Sequence, residues 1–335
     1  YCYRPWRPPA MASEPADTPF ARVRADSAQW AQNRERGSAT LVALGVFLAL
    51  RIGRPLARLG LHLIAAYFFV FAPTARHWAR DYLRRVLGRE PTAADRYRQI
   101  YAFASTVLDR LYLLKGRDEL FEVSSEGDAL MLDTLARGDK GVFLLGSHLG
   151  SFALVSSVGG RRAGVKVAMA MYDAQAGLLM SVFNAIDAPR APEIIPLGHL
   201  EAMLRIRDSL EEGKFVGMLA DRTIGDAPAQ IVPFLGAPAL FPSGPMRVAA
   251  ALRRPVIFMT GLYRGGNRYH AVFRQIADFS QPCPQGREAA VREGVERYAQ
   301  LLEEYCRSDP YNWFNFYDFW HGARAPDEPS RAGPA

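Results

Sequence analysis

Three cysteines in 335 residues, Cys2, Cys283 and Cys306, are too scattered for a disulfide framework and form no CxxC pair. A reducing compartment fits that usage. His62, His77, His199, His270 and His321 show no metal-ligand spacing. No apolar run reaches the ~20 residues that a helix needs to span hydrocarbon. No secretory signal stands out, because the first apolar segment lies deep in the chain and lacks a small-residue cleavage pattern. There is no zinc finger, no RNP-like aromatic motif and no basic recognition helix, so a nucleic-acid partner is not expected. Acidic residues are in deficit: 34 Asp+Glu against 41 Lys+Arg give a formal charge of +7.

What is present is a chain able to bury a full core, with 49% hydrophobic residues. The basic excess is densest before Lys115, where Arg51, Arg54, Arg58, Arg76, Arg80, Arg84, Arg85 and Arg89 bracket apolar segments. Arginines beside apolar stretches snorkel toward phosphates, so an anionic membrane surface is the expected partner of this region.

Four regions follow from composition. Residues 1–37, rich in Pro, Ala, Arg and Ser, read as a disordered tail, with Met11 a candidate start. Residues 38–90 hold apolar stretches at 39–50 and 59–72 and are expected to form a membrane-associated helical segment. Two interfacial helices, one tilted span, or a pair of buried core helices all fit the pattern. Residues 91–322 are expected to form an α/β domain, and 323–335 a second disordered tail.

Within the α/β region, Ile100, Phe103, Val107, Leu108 and Leu111 recur at three- and four-residue steps, which predicts a helix over 91–116. Beyond it, short apolar runs at 142–145, 165–169, 194–197, 215–219, 256–262 and 269–273 alternate with helical patterns at 151–157, 176–184, 200–212, 245–253 and 287–307. The alternation predicts a mostly parallel central sheet flanked by helices.

His148 is the most informative residue. It follows the run at 141–145 in Gly146-Ser147-His148-Leu149-Gly150-Ser151-Phe152, where a strand ends and a helix begins. That is the carboxyl edge of a parallel sheet, where open α/β folds bind ligands. An imidazole there can serve as a general base near neutral pH, or merely cap the turn. Arg222, beside the strand at 215–219, is a candidate anion contact or a partner of Asp221 or Asp226. Arg247, near the start of a helix, is a second phosphate candidate, or an ordinary surface residue. The Gly150 and Ser151 amides could form an oxyanion hole, or serve only the turn.

Several segments together resemble the bacterial lipid A biosynthesis acyltransferases, the late lauroyl/myristoyl transferases related to the glycerolipid acyltransferases. The carriers are the segment 146–152, Met218-Leu219-Ala220-Asp221-Arg222, Val232-Pro233-Phe234-Leu235-Gly236-Ala237-Pro238-Ala239, Gly244-Pro245 with Arg247, and Tyr311-Asn312-Trp313-Phe314. The resemblance spans about residues 56–320. It implies transfer of a fatty acyl chain from an acyl carrier protein or coenzyme A thioester to a hydroxyl of a membrane glycolipid, such as a lipid A precursor. It also implies a site at the cytoplasmic face of the bacterial inner membrane, with no metal or cofactor.

The family motif, His followed after four residues by Asp or Glu, maps onto His148 and position 153, which is alanine. Loss of the acid that orients such a histidine costs about 10⁴ in kcat, some 5 kcal/mol. Asp221, which closes a predicted strand, is the preferred substitute acid, and Asp173 the second. Without a substitute, the chain is a catalytically inactive lipid- or acyl-binding homologue. A serine hydrolase acting through Ser147 or Ser151 is a third possibility, weakened because the centre of Gly146-Ser147-His148-Leu149-Gly150 is His where the G-x-S-x-G elbow has Ser. The aromatic run 311–320 is expected to pack in the core, to line an acyl channel, or to meet a membrane interface.

Overall fold

The computed structural model describes residues 39–136, 141–155, 164, 166–172, 192–223 and 227–323. The first predicted tail, the second beyond Ala323, the helical pattern at 176–184, Asp173 and Asp226 lie outside the described residues.

Among the described residues four helices come first: α1 (Ala39–Ile52), α2 (Arg54–Phe71), α3 (Pro73–Leu87) and α4 (Ala93–Leu114). Gly53, at a positive φ of 83°, separates α1 from α2, and prolines open both α2 and α3, where a missing N–H is no loss. Thr92 and Asp95 close a capping box at the start of α4. Along α2, Ala57, Leu61 and Ala65 recur every fourth residue and are buried. Leu56, Leu59, Leu63, Phe68, Val70 and Phe71 are exposed. The seam with α4 is fixed by Arg54, whose guanidinium donates to both oxygens of Asp109 in α4 at 2.8 and 2.9 Å. Helix α3 was not expected as an element; it sends Tyr82, Leu83 and Val86 into the main core.

The sheet has seven strands in the order β1-β9-β8-β2-β5-β3-β4. They are β1 (Glu122–Glu126), β2 (Phe143–Gly146), β3 (Val167–Tyr172), β4 (Glu193–Leu197), β5 (Phe215–Leu219), β8 (Pro255–Tyr263) and β9 (Arg268–Asp278). Only β8 and β9 pair antiparallel. The expected mostly parallel sheet flanked by helices is therefore the observed one. Among the described residues the α-helices after α4 are α5 (Asp128–Ala136), α6 (Leu200–Glu211), α7 (Gly244–Ala251) and α8 (Arg287–Ser308).

Three strands escaped the sequence reading. The edge strand β1, Glu-Val-Ser-Ser-Glu, carries one apolar residue and so has no hydrophobic pattern to detect. The other two, β6 (Ala229–Phe234) and β7 (Ala237–Pro242), form a separate antiparallel ribbon. Each contains proline, and Pro233 sits opposite Pro238, which a two-stranded ribbon tolerates because its edges are unpaired. Leu235 and Gly236 join them at positive φ of 49° and 79°, the geometry of a type I′ hairpin turn.

Candidate active site

Strands β2 and β5 are neighbours, in a register that sets Gly146 opposite Leu219. His148 and Asp221 each lie two residues beyond those partners, so the register delivers them side by side at the sheet's carboxyl edge. Asp221 Oδ1 lies 2.9 Å from His148 Nδ1, and its Oδ2 accepts the His148 backbone N–H at 2.9 Å. The Trp313 indole N–H donates to the same Oδ2 at 3.1 Å. Asp221 is 1% exposed, whereas the His148 side chain keeps 24% of its surface open. With the carboxylate accepting at Nδ1, the proton resides there and Nε2 is the basic nitrogen.

The charges of this pair are set by opposing causes. Burial lowers the basicity of His148, the Arg222 cation lowers it further, and Asp221 acts the other way. The imidazole is thus held below its ordinary value. For Asp221, burial opposes ionisation, but His148, Arg222 and the donated backbone N–H outweigh it and hold the carboxyl well below the usual range. The resting pair is a carboxylate beside a neutral imidazole.

A cavity of about 550 Å³ opens beside the pair. His148, Gly150, Ser151, Ala153 and Arg222 all line it, together with Met169, Met171, Tyr172 and Phe316. Phe103, Val107, Tyr172 and Leu219, also on its wall, are exposed large apolar side chains. It is thus an apolar cavity with an imidazole and guanidinium groups set in its wall. Phe314 and Tyr317 join this lining, while Trp313 is buried, so the aromatic run both packs the core and shapes the cavity.

The remaining expectations divide. Gly150 is required where it stands: its φ is 68°, and a Cβ there would lie 2.3 Å from the Gly261 carbonyl oxygen. Its amide donates to the Asn312 carbonyl at 2.9 Å, and the Ser151 amide donates to the Gly261 carbonyl at 2.8 Å. Both amides are committed to the fold, so the turn explanation holds for them and the oxyanion-hole explanation does not. Ser147 and Ser151 are buried, and their hydroxyls accept the Leu149 and Leu154 amides at 3.3 Å. Neither is hydrogen-bonded to His148, which weakens the hydrolase alternative further. Arg222 reaches the cavity with a hydrogen bond to the Phe314 carbonyl at 3.2 Å, and its guanidinium lies 4.9 Å from the Tyr317 ring centre. Arg247 is not in the lining; it forks onto the Glu288 carboxylate at the surface. Among the described residues, no group of three His, Cys, Asp or Glu side chains could hold a metal.

Two cavity features had no sequence signal of their own. The Trp313 bond to Asp221 joins residues 92 positions apart. Arg110, in α4, also lines the cavity, and nothing in its neighbourhood marks it out from the other arginines.

A family model described as bacterial lipid A biosynthesis acyltransferase matches residues 31–321 of the chain. No curated protein matches it.

Proposed function

Because the chain belongs to the bacterial lipid A biosynthesis acyltransferase family, and is an acyltransferase on that ground, we propose that its cavity joins a fatty acyl thioester to a hydroxyl of a membrane glycolipid, with His148 as the general base. The observation that carries this reading is the His148–Asp221 pair at the rim of an apolar cavity. Nε2 takes the hydroxyl proton as the oxygen attacks the thioester carbonyl, and Asp221 fixes the tautomer and stabilises the imidazolium. Arg222 offers a cation to an anionic group of substrate or intermediate. The donor is an acyl carrier protein or coenzyme A thioester, the acceptor a glycolipid such as a lipid A precursor, and thioester chemistry of this kind needs no metal or redox group.

The working location is the cytoplasmic face of the inner membrane. Among the described residues, α2 is the one helix long and apolar enough to cross a bilayer. Its 18 residues rise about 27 Å, near the lower limit for a span, and one face is buried on α4. That combination favours a helix lying in the interface with its outer apolar face in lipid.

Ala153 motivates the competing reading of an inert lipid-binding homologue. Asp221 speaks against it, since it occupies Nδ1, the position an orienting acid must take. Lipid mass spectrometry of cells with the gene, without it, and with His148→Ala tests the choice. One acyl-sized mass difference, lost in the deletion and in the variant alike, is the expected result. A difference that survives His148→Ala means another base, and lipid binding with no mass difference at all means the inert homologue.

A further inference from the structure

Acyl transfer puts a negative charge on the carbonyl oxygen of its tetrahedral intermediate, and a donor aimed at that oxygen is among the largest catalytic terms. The two backbone amides beside His148 are unavailable, since each already donates to a carbonyl of the fold. Arg222 is tied to the Phe314 carbonyl and stacked near Tyr317. Arg110 lines the same cavity as His148, and its Nε is buried with no hydrogen-bond partner. The Arg222 Nε is buried with no hydrogen-bond partner as well, but the rest of that guanidinium is held, whereas Arg110 makes no hydrogen bond among the described residues. No carboxylate pairs with it among the described residues. Its charge is felt at the imidazole. A half-buried guanidinium with an enclosed Nε and no counter-charge carries a desolvation cost that a bound anion would relieve.

We propose that Arg110 is a catalytic residue, donating to the thioester carbonyl oxygen as it becomes an oxyanion. The proposal rests on the acyl-transfer reading above. The acceptor oxygen bonds to the carbonyl carbon, its proton passes to His148 Nε2, and the π electron pair moves onto the oxygen facing Arg110. Collapse restores the carbonyl, breaks the carbon–sulfur bond, and the departing thiolate takes the proton from His148. Water in place of the glycolipid generates the same oxyanion, so Arg110 acts on thioester hydrolysis too, where no acceptor is present.

The experiment measures both reactions with the full chain in detergent micelles, using a long-chain acyl coenzyme A and the matching acyl carrier protein thioester in turn as donor, and a lipid A precursor as acceptor for transfer. Arg110→Gln is expected to lower kcat for hydrolysis and for transfer together by about 10²- to 10³-fold, with KM for the thioester moved less than about threefold. Arg110→Lys, which keeps the charge but not the fork, should fall between, and it carries the test should the Gln variant fail to fold. Unchanged kcat in an active enzyme overturns the proposal alone. So does a raised acceptor KM with normal hydrolysis, because Arg110 would then bind a fixed anionic group. A wild-type chain that turns over no thioester overturns the acyl-transfer reading, and this proposal with it.

Discussion

Two carboxylates are buried in this molecule with nearly the same surroundings and different consequences. Asp221 at the sheet edge and Asp109 in the helical seam are 1% and 0% exposed. Each accepts three hydrogen bonds: Asp221 from the His148 ring, the His148 amide and the Trp313 indole, Asp109 from two guanidinium nitrogens of Arg54 and the Tyr269 hydroxyl. The partner decides what each can do. A guanidinium stays charged at any working pH, so the Arg54–Asp109 pair can only hold α2 against α4 and β9. An imidazole titrates near neutrality and here keeps one ring nitrogen for substrate, so the His148–Asp221 pair can move a proton. Burial of an acid therefore says little about function until its partner is known.

Replacing each acid by its amide is the strongest way to break the comparison. Asp221→Asn removes the group that selects the His148 tautomer and steadies the imidazolium, and is expected to lower kcat by about 10⁴. Asp109→Asn leaves the chemistry alone but strands a guanidinium that is 11% exposed, with a loss of about 3 kcal/mol or more in unfolding free energy. Steady-state transfer assays and denaturant titrations of both variants check the split. If Asp109→Asn removes activity from fully folded protein, or Asp221→Asn spares it, the division of labour drawn here is wrong.

A finer test uses pH. Burial and then Arg222 hold His148 below its ordinary value, so the proposed base is already neutral at pH 7. The profile of kcat/KM should be flat through neutrality and fall about tenfold per pH unit only below the usual histidine value near 6.5. Arg222→Gln removes a repelling cation and should shift that acid limb upward; Asp221→Asn removes the group that favours imidazolium and should shift it downward. The limb belongs to the coupled pair and not to one ring. Stability moves in the same sense: both native values are depressed, so the unfolded chain binds more protons and stability falls on acidification, first through the histidine range and then through the carboxylate range. An acid limb above pH 7 would point to a different base.

The contrast also marks what a sequence can disclose. The sheet class was legible because β2, β5 and β8 are short apolar runs set among helical patterns, and His148 was legible because it ends one of them. Asp221 could be suspected on the same ground, since it ends β5, but the register that makes it a partner is set by strand adjacency in space. Asp109, Arg110 and Trp313 lay beyond reach: their roles depend on contacts with residues far along the chain, and helical periodicity treats a buried lock, an orphan cation and a surface charge alike. The Gly150 and Ser151 amides show the converse error. Their position after a strand suited an oxyanion hole, but carbonyls of Asn312 and Gly261, more than a hundred residues away, had already taken them.

The smallest expected effect concerns the residue that first raised doubt about activity. Ala153 lines the cavity and packs against the cluster containing Leu154 and Phe314. Were the enzyme crippled for want of an acid at this position, Ala153→Glu would raise kcat by orders of magnitude. Nδ1 of His148 already has a carboxylate at 2.9 Å, so a second acid has no vacant ring proton to accept. It would instead bring an uncompensated charge into a cavity wall shared with Arg110 and Arg222, and would tend to pair with one of them. The rate should therefore stay level or drop severalfold, an effect of about 1 kcal/mol. Single-turnover transfer by the variant decides the matter, and a gain of about tenfold or more would show that Asp221 orients the imidazole poorly and that the two buried acids are less different than their partners suggest.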